Sequence, residues 1–337
     1  MIKTTFRIRL LEFAGCLTII ALLACSFKSP PAKVKIGFLV HDLVAERWRL
    51  DMDNFANKVK QLGGEPITRN GLGDPHTQVA QGKKLIDEGV KVIAVVPQDG
   101  KVLAELVDYA NKAGATIIAY DRMITECDLP YYISFNSIKV GELMAGYALQ
   151  LKPKGNYVIL NGPSSDNNAL LVRQGIMNVL KKERDNGKIK ILLEKEMDSW
   201  YELTAQMFMT EFITANKEPI DAIIAGSDGI ASGAIDALKG IRPPLVVTGQ
   251  DASIEACRNI VSGYQSMTIY KSIKKLSDEA AILSMKIANG QQVSVTVTIN
   301  NGKKEVPSIL FDPIVVDKAN LYSVVVAEGH IKAEDLK

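Results

Sequence analysis

Short β-branched apolar runs alternate with longer helical patterns along most of this chain, and that alternation limits the possible folds more than any single motif. Strands are predicted at 34–40, 92–96, 116–120, 157–160, 189–193, 222–225, 245–247 and 267–270. The segments between them read as helices. Residues 50–62 set Phe55, Val59 and Leu62 on one face, and residues 78–89 do the same with Val79, Leu85 and Ile86. Gly63-Gly64, Gly89 and Gly114 stand where helices should end. Strands separated by helices imply parallel sheets built from βαβ units. No linker rich in Pro, Gly or Ser divides the chain, and the alternation continues past Phe135-Asn136, where one half ends and another begins. The expected class is therefore α/β: two doubly wound parallel-sheet lobes joined by a hinge that the chain crosses more than once.

Residues 1–24 stand apart as a leader. A start carrying Lys3, Arg7 and Arg9 precedes an apolar run from Phe13 to Ala24, which is the pattern of a secretory signal and is short for a permanent span of a ~30 Å hydrocarbon layer. It ends in Leu22-Leu23-Ala24-Cys25, which resembles the bacterial lipobox, whose cysteine is acylated and becomes the mature N-terminus. Residues 25–33 then form a lipidated tether, with buried acyl chains holding the body at a membrane surface. The alternative is an ordinary cleavable signal with a cysteine beside it. Without the leader the chain holds 37 basic and 37 acidic residues. A neutral body argues against nucleic acid as the main partner, since phosphate binding needs a concentrated basic surface. Hydrophobic residues at 47% and charged residues at 23% exclude disordered and disulfide-scaffold classes. Cys127 and Cys257 lack zinc-site spacing and are either two thiols or one bridge.

In open parallel sheets, ligands bind beyond the carboxyl ends of the strands. Those positions here hold Asp42 with Glu46-Arg47-Trp48-Arg49, then Asp121-Arg122, Asn161 with Asp166-Asn167-Asn168, and Asp198-Ser199-Trp200. Ser227-Asp228, Gln250-Asp251 and Lys271 complete the set, which contains both tryptophans of the chain. Two indoles surrounded by carboxylates, amides and cations suit a molecule with apolar C–H faces and a rim of hydroxyls, which describes a sugar. Each member also has a plainer reading. Asp166 and Asp228 are placed to cap the following helices, Trp200 with Tyr201 is placed to pack at a helix start, and one of Arg47 and Arg49 is expected to be solvated.

The chain has no GxxxxGK[ST] loop, no GxGxxG after a strand and no GxSxG elbow. His41, His76 and His330 show no metal spacing, and a surface position is expected for each. Asp121 and Asp251 would have to face each other for glycoside hydrolysis, and no residue shows a local nucleophile signature. No cofactor is expected, and a binding role is favoured over catalysis.

The run AYDRMI at 119–124 is followed by YYISF at 131–135, KVGEL at 139–143 and DNNA at 166–169. GQDA at 249–252 and MTIYK at 267–271 come later. Together with Glu46-Arg47-Trp48, these segments make residues 33–291 resemble the periplasmic sugar-binding proteins of ABC transporters with the type I, ribose-binding-protein-like fold. Within that family the resemblance is to the members that bind D-xylose. It implies two α/β lobes that close on a monosaccharide, with residues 34–136 and 272–296 in the first lobe and 137–271 and 297–337 in the second. It further implies that Arg47, Asp121 and Arg122 bind hydroxyls from the first lobe, and that Asn168 (or Asn167), Asp251 and Lys271 do so from the second. Trp48 and Trp200 would stack on the ring faces. Ser227, shorter than the Asn that the xylose binders carry at this position, would meet a sugar hydroxyl through water. The implied protein is a monomeric, non-enzymatic lipoprotein outside the cytoplasm that delivers D-xylose to an ABC permease. The alternative partner for its closed form is a histidine kinase or chemoreceptor.

Overall fold

The computed structural model describes residues 33–239, 245–295 and 297–337. The leader, Cys25 and the tether up to residue 32 lie outside the described residues. Lys35–Lys337 forms one compact unit.

The first sheet opens with β1 (Lys35–Val40), β2 (Glu65–Asn70), β3 (Val92–Val95), β4 (Thr116–Tyr120) and β5 (Tyr131–Phe135). Interleaved with these are α1 (Glu46–Gln61), α2 (Pro75–Asp87) and α3 (Ala104–Ala113). The second sheet takes β6 (Gly155–Asn161), β7 (Ile189–Glu196), β8 (Ala222–Ala225), β9 (Val246–Gln250) and β10 (Met267–Tyr270). Its helices are α4 (Ser137–Leu151), α5 (Asn167–Asp185), α6 (Glu202–Ala215), α7 (Asp228–Ala237) and α8 (Ile254–Ser262). Helix α9 (Ile273–Ala288) leads on to β11 (Val297–Asn300), β12 (Glu305–Phe311) and β13 (Ile314–Asp317). The sheet orders are β11-β12-β5-β4-β3-β1-β2 and β13-β10-β9-β8-β6-β7. All pairs are parallel except β11 with β12 and β10 with β13.

Central strands such as β3 (VIAV) and β8 (AIIA) are buried along their whole length, as a parallel sheet covered by helices on both faces requires. The expected helix ends hold: Gly63, Gly89 and Gly114 all adopt positive φ, the conformation that costs a residue without Cβ least. Strand β2 (EPITRN) went unread because it is an edge strand without a buried apolar run.

The tail corrects one expectation. Residues 297–311 belong to the first sheet, not the second: β12 lies parallel to β5, with Ser308 opposite Tyr132 and Phe311 opposite Phe135. Without β12, the buried strand β5 would present an unpaired backbone edge. The second sheet regains the chain at β13, antiparallel to β10. The rest of the tail packs there, with Val316, Leu321, Val325, Ile331 and Leu336 in one core with Ala252, Cys257 and Tyr270. Cys127 lies in the core of the first lobe, so the two cysteines are free buried thiols in separate cores.

The chain passes between the sheets at three places: Asn136, Lys271-Ser272 and Asp312-Pro313. Two crossings run straight into helices that they cap. Asn136 Oδ1 accepts from Lys139 N at 3.0 Å, and Ser272 Oγ accepts from Lys275 N at 3.2 Å. Helix α9, entered from β10 of the second sheet, packs on α1 of the first. Three short connections of this kind leave hinge rotation as the low-cost motion of one lobe against the other.

Candidate functional site

The first turn of α1 carries the centre of the site. Arg47 donates from Nη2 to Asp121 Oδ2 at 3.0 Å and from Nη1 to Asp251 Oδ1 at 2.8 Å. Its Nε faces Asp51 Oδ2, one helical turn away, at 3.5 Å. Arg47 therefore joins an aspartate at the end of β4 to one at the end of β9, across the two lobes. Burial works against its charge, but Asp121, Asp51 and Asp251 more than offset that and raise its pKa further. Asp51, fully buried, receives the Tyr120 hydroxyl, and burial raises its pKa to about 6. Burial also opposes ionisation of Asp251, yet Lys271 at 2.8 Å and Arg47 together hold its carboxyl below the usual range.

A second ion pair also crosses the cleft. Arg122 Nε meets Asp166 Oδ2 at 2.8 Å, and Trp200 Nε1 donates to the same oxygen at 3.3 Å. The other oxygen of Asp166 accepts from Asn168 N at 2.9 Å, so this residue caps α5 and lines the site at once. Asn168 Nδ2 donates to the Asp121 carbonyl at 3.0 Å and to its Oδ1 at 3.2 Å. Asp121 itself sits at φ 62°, held there by donation from Ser134 Oγ and Tyr132 OH to its carbonyl at 2.6 and 2.9 Å. At the rim, the Tyr201 hydroxyl donates to Asp42 Oδ2 at 3.1 Å.

The aromatic walls come from opposite lobes. Trp48 lies under the guanidinium of Arg47 at 4.2 Å and that of Arg122 at 5.3 Å from its ring centroid. His41 meets the same indole edge-on at 4.9 Å. Trp200 packs against Gly162, where a Cβ would lie 2.0 Å from the indole, so only glycine admits the ring there. Together these groups line a cavity of about 700 Å³, inside the usual range of about 300–1,000 Å³ for small-molecule sites. Each of its central cations, Arg47, Arg122 and Lys271, is already paired with a carboxylate. A ligand for such a site is polar and carries little net charge.

Nine of the ten residues expected from the sequence line this cavity: Arg47, Trp48, Asp121, Arg122, Asn168, Trp200, Ser227, Asp251 and Lys271. Asn167 is not among the lining residues. Arg49 is the solvated arginine, paired with Glu46 at 3.2 Å on the exposed face of α1. Ser227 caps α7, accepting from Ile230 N at 3.2 Å. Asp228 instead holds the loop after β9, accepting from Ser253 N, Gln265 Nε2 and Thr268 Oγ1, each at 2.9 Å. Burial pushes its pKa up to about 7. Surface positions were expected for all three histidines, but only His76 is exposed. His41 is buried, and burial together with Arg122 and Arg47 lowers its pKa to about 2, so it serves as a neutral wall. Asp51 was missed, although its spacing of four from Arg47 was a readable pairing signal. The tail was missed as well: Gly329, His330, Ile331 and Lys332 also line the cavity.

Residues 36–292 match the periplasmic binding protein domain. The chain belongs to the periplasmic binding protein family. Relatives of this periplasmic binding protein include the D-xylose-binding periplasmic protein of Haemophilus influenzae, 38% identical over 329 residues, covering 97% of this chain and 98% of that one. The D-xylose-binding periplasmic protein of Escherichia coli is 39% identical over 318 residues, covering 94% and 96%. Among solved structures, an ABC transporter solute binding protein from Clostridium phytofermentans with bound β-D-glucose superposes with a TM-score of 0.85 at 29% identity. That match covers 90% of this chain and 100% of the other. The family is one of binding proteins, not enzymes.

Proposed function

We propose that this protein captures D-xylose between its two lobes outside the cytoplasm and presents the closed form to an ABC sugar permease. The observation that carries this reading is the cavity itself, with an indole from each lobe and hydrogen-bonding groups whose charges are already balanced. The indoles cover the two apolar faces of a pyranose ring. Arg47, Asp121 and Arg122 meet its hydroxyls from one side, and Asn168, Asp251 and Lys271 meet them from the other. Charge-assisted hydrogen bonds of this kind make a site intolerant of a missing or misplaced hydroxyl. Ser227 Oγ accepts from Ile230 N in capping α7 and donates toward the Trp200 carbonyl at 3.5 Å, so a sugar oxygen nearby is reached through water.

Binding works by closure. The open form presents half a site on each lobe, and the sugar adds contacts that exist only when both halves meet. The pairs Arg47–Asp251, Arg122–Asp166, Asn168–Asp121 and Tyr201–Asp42 cross the same cleft and favour the closed form alongside the ligand. Acylation at Cys25 would keep the protein close to its permease. The relatives named for D-xylose at 38% and 39% identity favour that sugar over glucose, the ligand in the structural neighbour at 29%. Isothermal calorimetry against D-xylose, L-arabinose, D-ribose and D-glucose tests the assignment. The expected result is saturable one-to-one binding, tightest for D-xylose; tighter binding of glucose or ribose would overturn it.

A further inference from the structure

Asp251 reaches Arg47 and Lys271 from a backbone that side-chain-bearing residues rarely adopt: φ is 101° at Asp251 and 49° at Ala252. Two consecutive non-glycine residues at positive φ persist only where their surroundings hold them there. Four backbone groups around them are held. Asp251 N donates to Ile269 O at 2.8 Å, Ala252 N to Thr268 Oγ1 at 3.1 Å, and Ser253 N to Asp228 Oδ2 at 2.9 Å. Three of these grips come from the second sheet and its buried aspartate. The fourth comes from the tail: His330 Nε2 lies 3.0 Å from the Ala252 carbonyl. A carbonyl only accepts, so Nε2 carries the proton.

His330 is itself well placed. Its backbone N donates to Val325 O at 3.0 Å, its ring packs on Tyr270 with centroids 4.9 Å apart, and Ile331 beside it is buried in the tail core. Its neighbours Gly329 and Lys332 line the ligand cavity. The tail lines the cavity at several residues, and its hold on the Asp251-Ala252 turn is the His330 imidazole.

We propose that His330 is a positioning residue for sugar binding, fixing the strained turn at Asp251-Ala252 through the Ala252 carbonyl and so aiming the Asp251 carboxylate into the cavity. This rests on the sugar-binding reading above. Without the imidazole, the turn relaxes toward ordinary backbone and Asp251 loses its alignment with Arg47 and Lys271.

The test measures D-xylose affinity by calorimetry for the wild-type chain, His330→Ala, His330→Leu and His330→Gln, each also in an Asp251→Asn background. Leucine restores bulk without a donor, and glutamine restores a donor at similar reach. Both apolar variants are expected to raise Kd by roughly tenfold, as loss of one well-aligned hydrogen-bonding group would. Glutamine is expected to return it to within about twofold of wild type. In the Asp251→Asn background the His330 substitutions should add little, since two residues acting through one contact are not additive. Unchanged Kd in the Ala and Leu variants overturns the proposal, as does a full effect that survives Asp251→Asn. If the wild type binds none of the sugars, the function reading fails instead, so the two failures are distinguishable.

Discussion

Replacing Arg47 with methionine removes the cation that three carboxylates share while leaving its volume nearly filled. Asp51 and Asp121 are buried, and the Asp251 side chain keeps 27% of its exposure. Removing one partner of a buried ion pair typically costs about 3–5 kcal/mol, because the other charge is left uncompensated. The loss should depend on pH in a definite direction. Burial already raises Asp51 to about 6, and Asp251 is held low only because Lys271 and Arg47 outweigh its burial. Without Arg47 the buried Asp51 loses the cation that opposes its protonation, so it keeps in the folded state a proton that the unfolded chain releases above about pH 4. Stability then falls as pH rises, because the folded state binds more protons than the unfolded one. Urea unfolding at pH 8 should show a deficit of about 3 kcal/mol or more against wild type, shrinking markedly at pH 4.5. An equal deficit at the two pH values, or one below about 1 kcal/mol at pH 8, would refute the shared-cation account.

Three further outcomes follow from the same geometry. Gly162→Ala drives a methyl group into the Trp200 indole, 2.0 Å away, and should weaken sugar binding by roughly tenfold while costing about 1–3 kcal/mol of stability; calorimetry and urea melts read the two effects. Asp228→Asn turns an amide toward groups that donate, costing about 1–3 kcal/mol. Because burial raises Asp228 to about 7, its contribution in the wild type is greatest below about pH 4 and is lost as pH rises through 7. The gap between wild type and variant should therefore narrow from pH 5 to pH 8 in urea melts. Tyr201→Phe deletes the rim bond to Asp42, and faster sugar release in stopped-flow tryptophan fluorescence is the expected result, with the association rate little changed.

The central strands were legible because a strand buried on both faces must be largely apolar: β3 and β8 are wholly so, and β4 and β10 carry one threonine each. Edge elements carry no such pattern. Strand β2 is half-exposed and polar, and β11 is largely exposed, so neither announces itself. Nor does local sequence say which sheet a strand will extend, and residues 297–311, expected in the second lobe, join the first sheet. The site was readable because strand ends in a parallel sheet converge on one edge, and Arg47, Asp121, Trp200 and Asp251 all lie there. What sequence hides is the second layer. Asp51 and Tyr120 support Arg47 from inside the first lobe, Ser134 and Tyr132 hold the Asp121 turn, and His330 reaches Ala252 from 78 residues away. Apart from the spacing of four between Arg47 and Asp51, those contacts exist only once the chain has folded, and nothing in their residue types singles them out beforehand.

The central claim is that a pyranose lies between the lobes with its faces against two indoles. A crystal structure of the D-xylose complex tests it most directly. The sugar ring is expected between Trp48 and Trp200, with hydroxyls bonded to Arg47, Asp121, Arg122, Asn168, Asp251 and Lys271. A sugar bound outside this cleft, or within it but away from both indoles, would show that the two tryptophans do not form the binding site.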